Sequence, residues 1–287
     1  MTRAERDFSE GAPHVTEVGA DGQTNLSARE SILGDYREFG YAVFSLPPAS
    51  ADPTAALLRV AADLGLGAPF VPPLYRNRSD LYARTGVNLL TVAQAAGSQG
   101  DHPAFQSRGP IEFHTDGTLQ DLGEIQTAFL LCLTPAAIGG DTTLFAASRA
   151  FTAMRAENPH LAGALLGALL NDGALSRHAT IGDSPAFRSG PVFGVRNGEV
   201  LSRYSVTPRD KWATEEVEFL AEARRALEAH AAEGSPYCAQ IRLEAGQGII
   251  LANDRVSHGR TAFEDSAAGS RRMLRALFAG RPGSGEC

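Results

Sequence analysis

Residues 270–278 constrain the fold of this chain more than any other stretch, because Arg271, Arg272 and Arg275 interrupt an otherwise apolar run. If the run is extended, successive side chains alternate faces, so Arg271 and Arg275 share one face and Arg272 points the other way. An arginine inside an apolar strand is costly unless a carboxylate meets it. The guanidinium fork pairs bidentately with such a group, so an interior arginine near a metal site points to an organic acid cosubstrate. An amphipathic helix with its basic face in water fits the same periodicity and stays open at this level.

Three further motifs bear on that choice. Residues 111–118, between Gly109-Pro110 and a polar turn, mix apolar and polar side chains and read as a short strand on which His114 and Asp116 project together. One imidazole and one carboxylate suit a divalent first-row metal and leave positions for a third protein ligand, an organic acid and dioxygen. On spacing alone the signal is weak, and a polar strand end is the better account of the pair. Gly139 and Gly140 allow a tight turn, after which Thr142 re-enters extended structure; taken alone this is a hairpin with a surface threonine. Residues 253–263 leave a strand and present His258 shortly before the arginine run.

Composition narrows the possible partners. A chain of 287 residues, 43% hydrophobic and 21% charged, is enough for one large domain or two small ones. A net charge of -7 without a Lys/Arg-rich run argues against nucleic acid or an anionic membrane and for small molecules or proteins. Cys132, Cys238 and Cys287 are too few and too scattered for a disulfide framework or a cysteine-based zinc site. The start has no apolar signal region, and the longest apolar run, 161–170, is half a membrane span. A cytoplasmic location is expected.

Along the chain, residues 1–28 are polar and aperiodic, which predicts a mobile arm, and 29–287 a single domain. A helix is expected over 27–39, with Ser27 and Glu30 as a capping box and Gly40 as its end. A strand over 41–44 and a helix over 52–66, capped by Asp52 with Pro53 in its first turn, follow. Strand pieces are expected at 75–76, 81–82 and 87–92, then a loop over 97–109 carrying His102. The apolar run 125–133, ended by Pro135, is a strand, and 148–158 and 161–170 are helices flanking His160. Asn197-Gly198 marks a hairpin. The apolar stripe over 213–233 predicts a helix capped by Thr214, with strands over 237–243 and 248–251.

Taken in order, His114-Thr115-Asp116, Gly139 to Thr142, Asn253 to Arg260 and Arg271 to Arg275 resemble the iron(II)/2-oxoglutarate-dependent oxygenases of the taurine dioxygenase and clavaminate synthase superfamily. The resemblance covers about 41–278. It implies a mainly β fold with flanking helices (α+β), a double-stranded β-helix or distorted jelly roll with a helical N-terminal lead-in and an inserted helix. It implies a facial triad of His114, Asp116 and His258 on Fe(II). It implies 2-oxoglutarate bound by Thr142 and Arg271, with Arg275 as the second arginine of the family's spaced pair. The expected reaction consumes O2 and 2-oxoglutarate, releases succinate and CO2, and hydroxylates an unactivated C–H bond of a small molecule, an amino acid or natural-product intermediate.

Relatives that halogenate lack a carboxylate at the position of Asp116, which favours hydroxylation here; desaturation or epoxidation would use the same oxidant. A metal-dependent β-barrel hydrolase or isomerase would not need Arg271, and a jelly-roll binding module would need no metal. Arg203, Arg260 and Arg275 are candidates for meeting a substrate carboxylate, with salt bridges an equally good account of each.

Overall fold

The structure, a computed structural model, describes residues 8, 14–48, 50–73, 81–92, 107–166, 173–181, 184–267 and 269–283. The chain begins with β1 (Val15–Glu17), α1 (Leu26–Phe39), β2 (Tyr41–Ser45), α2 (Pro53–Asp63), α3 (Leu81–Thr85) and β3 (Val87–Thr91). Then come β4 (Ile111–His114), β5 (Thr127–Thr134), β6 (Ile138–Gly139) and β7 (Thr142–Phe145). A long excursion follows, through α4 (Ala147–Glu157), α5 (Pro159–Leu166), β8 (Leu175–Ile181) and β9 (Ser184–Gly190). It continues through β10 (Phe193–Arg196), β11 (Glu199–Ser202), β12 (Asp210–Trp212) and α6 (Leu220–His230). The chain closes with β13 (Cys238–Ile241), β14 (Gln247–Ala252), β15 (Ser257–Arg260), β16 (Phe263–Glu264) and β17 (Arg272–Phe278).

Two sheets carry the architecture, one of six strands in the order β1-β2-β14-β5-β17-β3 and one of four in the order β13-β7-β15-β4. The later strands alternate between them: β14 joins the first, β15 the second and β17 the first. Strand alternation divides β17 cleanly. Leu274, Ala276 and Phe278 pack with Ile32 and Tyr36 of α1 and Leu57 and Val60 of α2 on the outer face. Met273 and Leu277 pack on the inner face with Leu130, Leu144 and Ile249, between the sheets. By the same parity Arg275 points inward, while Arg272 is exposed, so the arginine run is a strand and the helical alternative falls.

Local chemistry explains the element ends and several departures from expectation. Asn25, not a Ser27–Glu30 box, caps α1 by accepting from Ala28 N at 2.8 Å. Gly40 ends that helix at φ 77, where a Cβ would meet Val256 Cγ2 at 2.7 Å. Asp52 caps α2 as expected, accepting from Thr54 N and Ala55 N. Where a mobile arm is expected over residues 1–28, the described part makes contacts with the sheet. β1 pairs in parallel with β2, and the buried Phe8 ring meets Tyr41 edge-on at 5.3 Å.

Residues 81–82 lie in α3 rather than a strand, and His160 lies within α5. α4 spans Ala147–Glu157 where a helix over 148–158 is expected, and it follows Ala146 with no side-chain cap. The helix expected from 213 starts only at Leu220, behind Phe219 at φ 61, and Thr214 does not cap it. Asn197 and Gly198, at φ 52 and 79, make the two-residue β10–β11 hairpin. The expected pieces at 75–76 and 167–170, the loop 97–106 with His102, and Cys287 lie outside the described residues. No helix among the described residues is long and apolar enough to cross a membrane.

Candidate active site

The site lies where the two sheets open. β4 stops at His114, shorter than expected, and the chain turns through Thr115 and Asp116 to Gly117 at φ 93. Asn253 sets that turn: its Oδ1 accepts from Asp116 N at 2.7 Å, and its Nδ2 donates to Asp116 O at 3.1 Å and Ile125 O at 2.9 Å. β15 pairs antiparallel with β4 so that His258 stands opposite His114, with ring centroids 4.5 Å apart. Gly259 makes this approach possible, since a Cβ there would meet Ile111 O at 2.5 Å and Thr143 Oγ1 at 2.8 Å. One donor atom each from His114, Asp116 and His258 then lies within 4.8 Å of the others.

The protonation states follow from burial and charge. His114 Nδ1 sits 2.9 Å from Glu112 O; as the donor there it leaves Nε2 with its lone pair toward the cluster. Burial, with the neighbouring His258 second, pushes the His114 imidazole down to about 4, and burial lowers His258 as well. For Asp116 burial acts upward, but the Arg275 guanidinium against its carboxylate outweighs burial and holds the carboxyl below its usual range. Arg275 Nη1 donates to Asp116 Oδ1 at 2.5 Å. Asp116 Oδ2 is buried without a hydrogen-bond partner, 3.7 Å from His258 Nε2. Two neutral imidazoles and a carboxylate with one uncommitted oxygen form a donor set that fits a divalent iron.

Two cavities meet at this cluster. The smaller, about 60 Å³, is lined by His114, His258, Thr142, Arg260, Arg271 and Arg275 among apolar neighbours. No carboxylate side chain lines it among the described residues, so its charge is cationic and suits a dianion. Arg271 precedes β17 and donates through Nη2 to Gly140 O at 3.1 Å. Gly140, at φ +74, is needed there because a Cβ would stand 3.0 Å from Arg271 Nε. The larger cavity, about 380 Å³, shares His114 and Arg275 and is walled by Asp116, Glu112, Arg177, His178, Thr207 and Arg209 among others.

The arginines expected to meet substrate are placed differently. Arg203 is buried behind Asp116 and donates to Arg188 O at 2.9 Å; it does not line the larger cavity. Arg260 Nη2 donates to Ser107 O and Gly109 O and lies over Phe263 beside Arg271, on the smaller cavity. Arg275 lines both cavities while holding Asp116. Sequence reasoning missed Arg177 and Arg209. Both come from the excursion between β7 and β13, and the one trace of Arg177 is a charge at an inward position of the alternating run 175–181.

Residues 7–277 match the model of the taurine catabolism dioxygenase TauD, TfdA family. A uridine-5'-phosphate dioxygenase from an Amycolatopsis species is 34% identical over 89% of this chain and 90% of its own. One from a Streptomyces species is 34% identical over 90% and 92%. Among solved structures, an asparagine oxygenase in complex with Fe(II), 2S,3S-3-hydroxyasparagine and succinate superposes with a TM-score of 0.61, at 21% identity over 88% of this chain and 79% of that one. A taurine dioxygenase from Burkholderia xenovorans gives 0.59, at 18% identity over 94% and 90%. The chain belongs to the TauD/TfdA dioxygenase family and has its jelly-roll fold. It is an iron(II)- and 2-oxoglutarate-dependent dioxygenase, with O2 as the second cosubstrate.

Proposed function

We propose that His114, Asp116 and His258 hold the iron, that 2-oxoglutarate occupies the smaller cavity, and that the organic substrate occupies the larger one. The observation that carries this reading is the position of the three donor atoms, within 4.8 Å of one another where the two cavities meet. When bound, the iron supplies the oxidising chemistry that links decarboxylation of 2-oxoglutarate to oxidation of a substrate C–H bond. The protein's own part is to orient and to exclude water. Arg271 and Thr142 receive the distal carboxylate of the oxoacid in a pocket without acids. Arg275 keeps Asp116 ionised, and Asn253 fixes its backbone.

For the substrate we propose a nucleoside 5'-monophosphate, with uridine 5'-phosphate first, in place of an amino acid. The names of the 34% identical relatives support this, as does a cavity of about 380 Å³ carrying Arg209 and His178 on its wall. Hydroxylation is the expected outcome, given the carboxylate at Asp116. We also infer one domain over 29–287, with α1, β2 and α2 as lead-in and residues 146–237 as the insert. The free thiols of Cys132 and Cys238 fit a cytoplasmic setting.

The test is to supply Fe(II), 2-oxoglutarate and O2 and to compare uridine 5'-phosphate, uridine, asparagine and taurine. Succinate release and a mass change on uridine 5'-phosphate alone are expected. Succinate release unchanged from the substrate-free rate with that nucleotide, but raised by an amino acid, would overturn the substrate assignment.

A further inference from the structure

The insert between β7 and β13 reaches into the donor set itself. β8 carries Arg177, 4% exposed, opposite Asp210 in the β8–β12 pairing. Its Nη2 donates to Thr115 O at 2.8 Å and its Nη1 to Thr115 Oγ1 at 3.1 Å. Thr115, itself buried, is the residue between His114 and Asp116. Arg177 Nε lies 3.5 Å from Asp210 Oδ1, and the Asp210 side chain is 2% exposed. The other oxygen, Asp210 Oδ2, accepts from Ser205 Oγ at 2.6 Å and from Thr207 N and Thr207 Oγ1 at 2.7 Å. Thr207, Pro208 and Arg209 form part of the larger cavity's wall.

We propose that Arg177 is a positioning residue: it clamps Thr115 by two points, sets the separation of the His114 and Asp116 side chains, and ties them through Asp210 to the substrate-side turn. The proposal rests on the reading of His114 and Asp116 as iron ligands. A dry Arg–Asp pair contributes little net stability compared with an apolar pair of the same volume. What the pair does supply is orientation, because a planar guanidinium offers its donors in one fixed fork. One face of that fork meets the Thr115 hydroxyl and carbonyl, and its Nε edge faces the carboxylate that orders residues 205–207. A shift of the substrate-side turn therefore moves the peptide between two ligands.

The test is Mn(II) titration by electron paramagnetic resonance on the full chain, with thermal unfolding alongside. Arg177→Lys keeps the charge and loses the two-point clamp, and is expected to weaken Mn(II) binding about tenfold. Thr115→Val, which removes only the hydroxyl contact, is expected to weaken it about threefold, and Thr115→Ser to restore it. Arg188→Ala, on the neighbouring exposed strand, should bind Mn(II) as the parent does. A merely structural role would lower the melting temperature of Arg177→Lys and leave the affinity of the folded fraction unchanged, and that result overturns the proposal. Should Arg177→Lys fail to fold, Thr115→Val decides, and parent-like affinity there is equally fatal. His114→Ala in the same titration separates the two levels. If it binds normally the ligand assignment falls, whereas if it alone loses binding only the role of Arg177 falls.

Discussion

Each of the three arginines of residues 270–278 meets a different environment, and their substitution should separate accordingly. Arg271 lines the cationic cavity beside Thr142; with the oxoacid placed there as proposed, Arg271→Ala would leave its buried carboxylate unpaired, at a cost of about 2–5 kcal/mol. The 2-oxoglutarate requirement should rise by about two orders of magnitude in steady-state titration. Arg272 is exposed, and Arg272→Ala should change that requirement by less than about threefold. Arg275→Ala removes the partner that offsets burial at Asp116, so the Asp116 carboxyl should protonate at higher pH than in the parent. The sign is fixed: a carboxyl held low favours the folded, metal-competent form above its unfolded value and loses that contribution as pH falls through the folded value. In Arg275→Ala the acid-side loss of Mn(II) binding should therefore move to higher pH; an unmoved profile would show that Arg275 does not govern Asp116. These positions were legible in the sequence because strand parity and the cost of burying a cation act locally. Arg177 was not legible, because the groups that need it, Thr115 and Asp210, come from segments 62 residues back and 33 residues ahead, and only the fold joins them.

At the scale of elements, β5 was the most readable, since it is buried on both faces and carries a nearly continuous apolar run, whereas the arginines in β17 left a helix open as the alternative. Ends were less so, because caps of similar chemistry compete. Ser27 with Glu30 and Asn25 both offer an N-terminal cap to α1, and the observed bond from Ala28 N goes to Asn25. Asn25→Ala should therefore destabilise the protein by about 1 kcal/mol in denaturant unfolding, and Ser27→Ala by much less. The start of α6 misled for another reason: its apolar stripe continues upstream through residues that form turns, and Phe219 in a left-handed conformation resets the helix. β15 gives the sharper test of element packing. Gly259→Ala places a methyl within 2.5 Å of Ile111 O and 2.8 Å of Thr143 Oγ1, so β15 has to leave β4 or β7. Destabilisation of about 1–3 kcal/mol is expected, with a loss of metal affinity because His258 and His114 are neighbours across that same pairing.

On the scale of the whole molecule, the jelly roll separates two demands. One face of the six-stranded sheet is closed by α1 and α2, so the other is free to enclose a polar centre with the four-stranded sheet. The amino-terminal segment takes part in that closure, although its composition is that of a disordered arm. Its anchoring depends on a few contacts spread along a polar stretch: β1 against β2, the Phe8 ring against Tyr41, and Gly22 at φ +85, where a Cβ would stand 2.0 Å from Ala56 O. Aperiodic composition cannot reveal such contacts, since a single buried ring leaves no pattern. The two descriptions make opposite predictions for Phe8→Ala. A mobile arm would tolerate the change without effect. A ring 2% exposed against Tyr41 should cost about 3 kcal/mol when truncated, less whatever the segment recovers by detaching, and lower the melting temperature by about 5 °C. Metal affinity of the folded protein should be untouched, because neither Phe8 nor Tyr41 lines either of the two cavities that meet at His114. A melting temperature equal to the parent's would return residues before β1 to the status of a free arm.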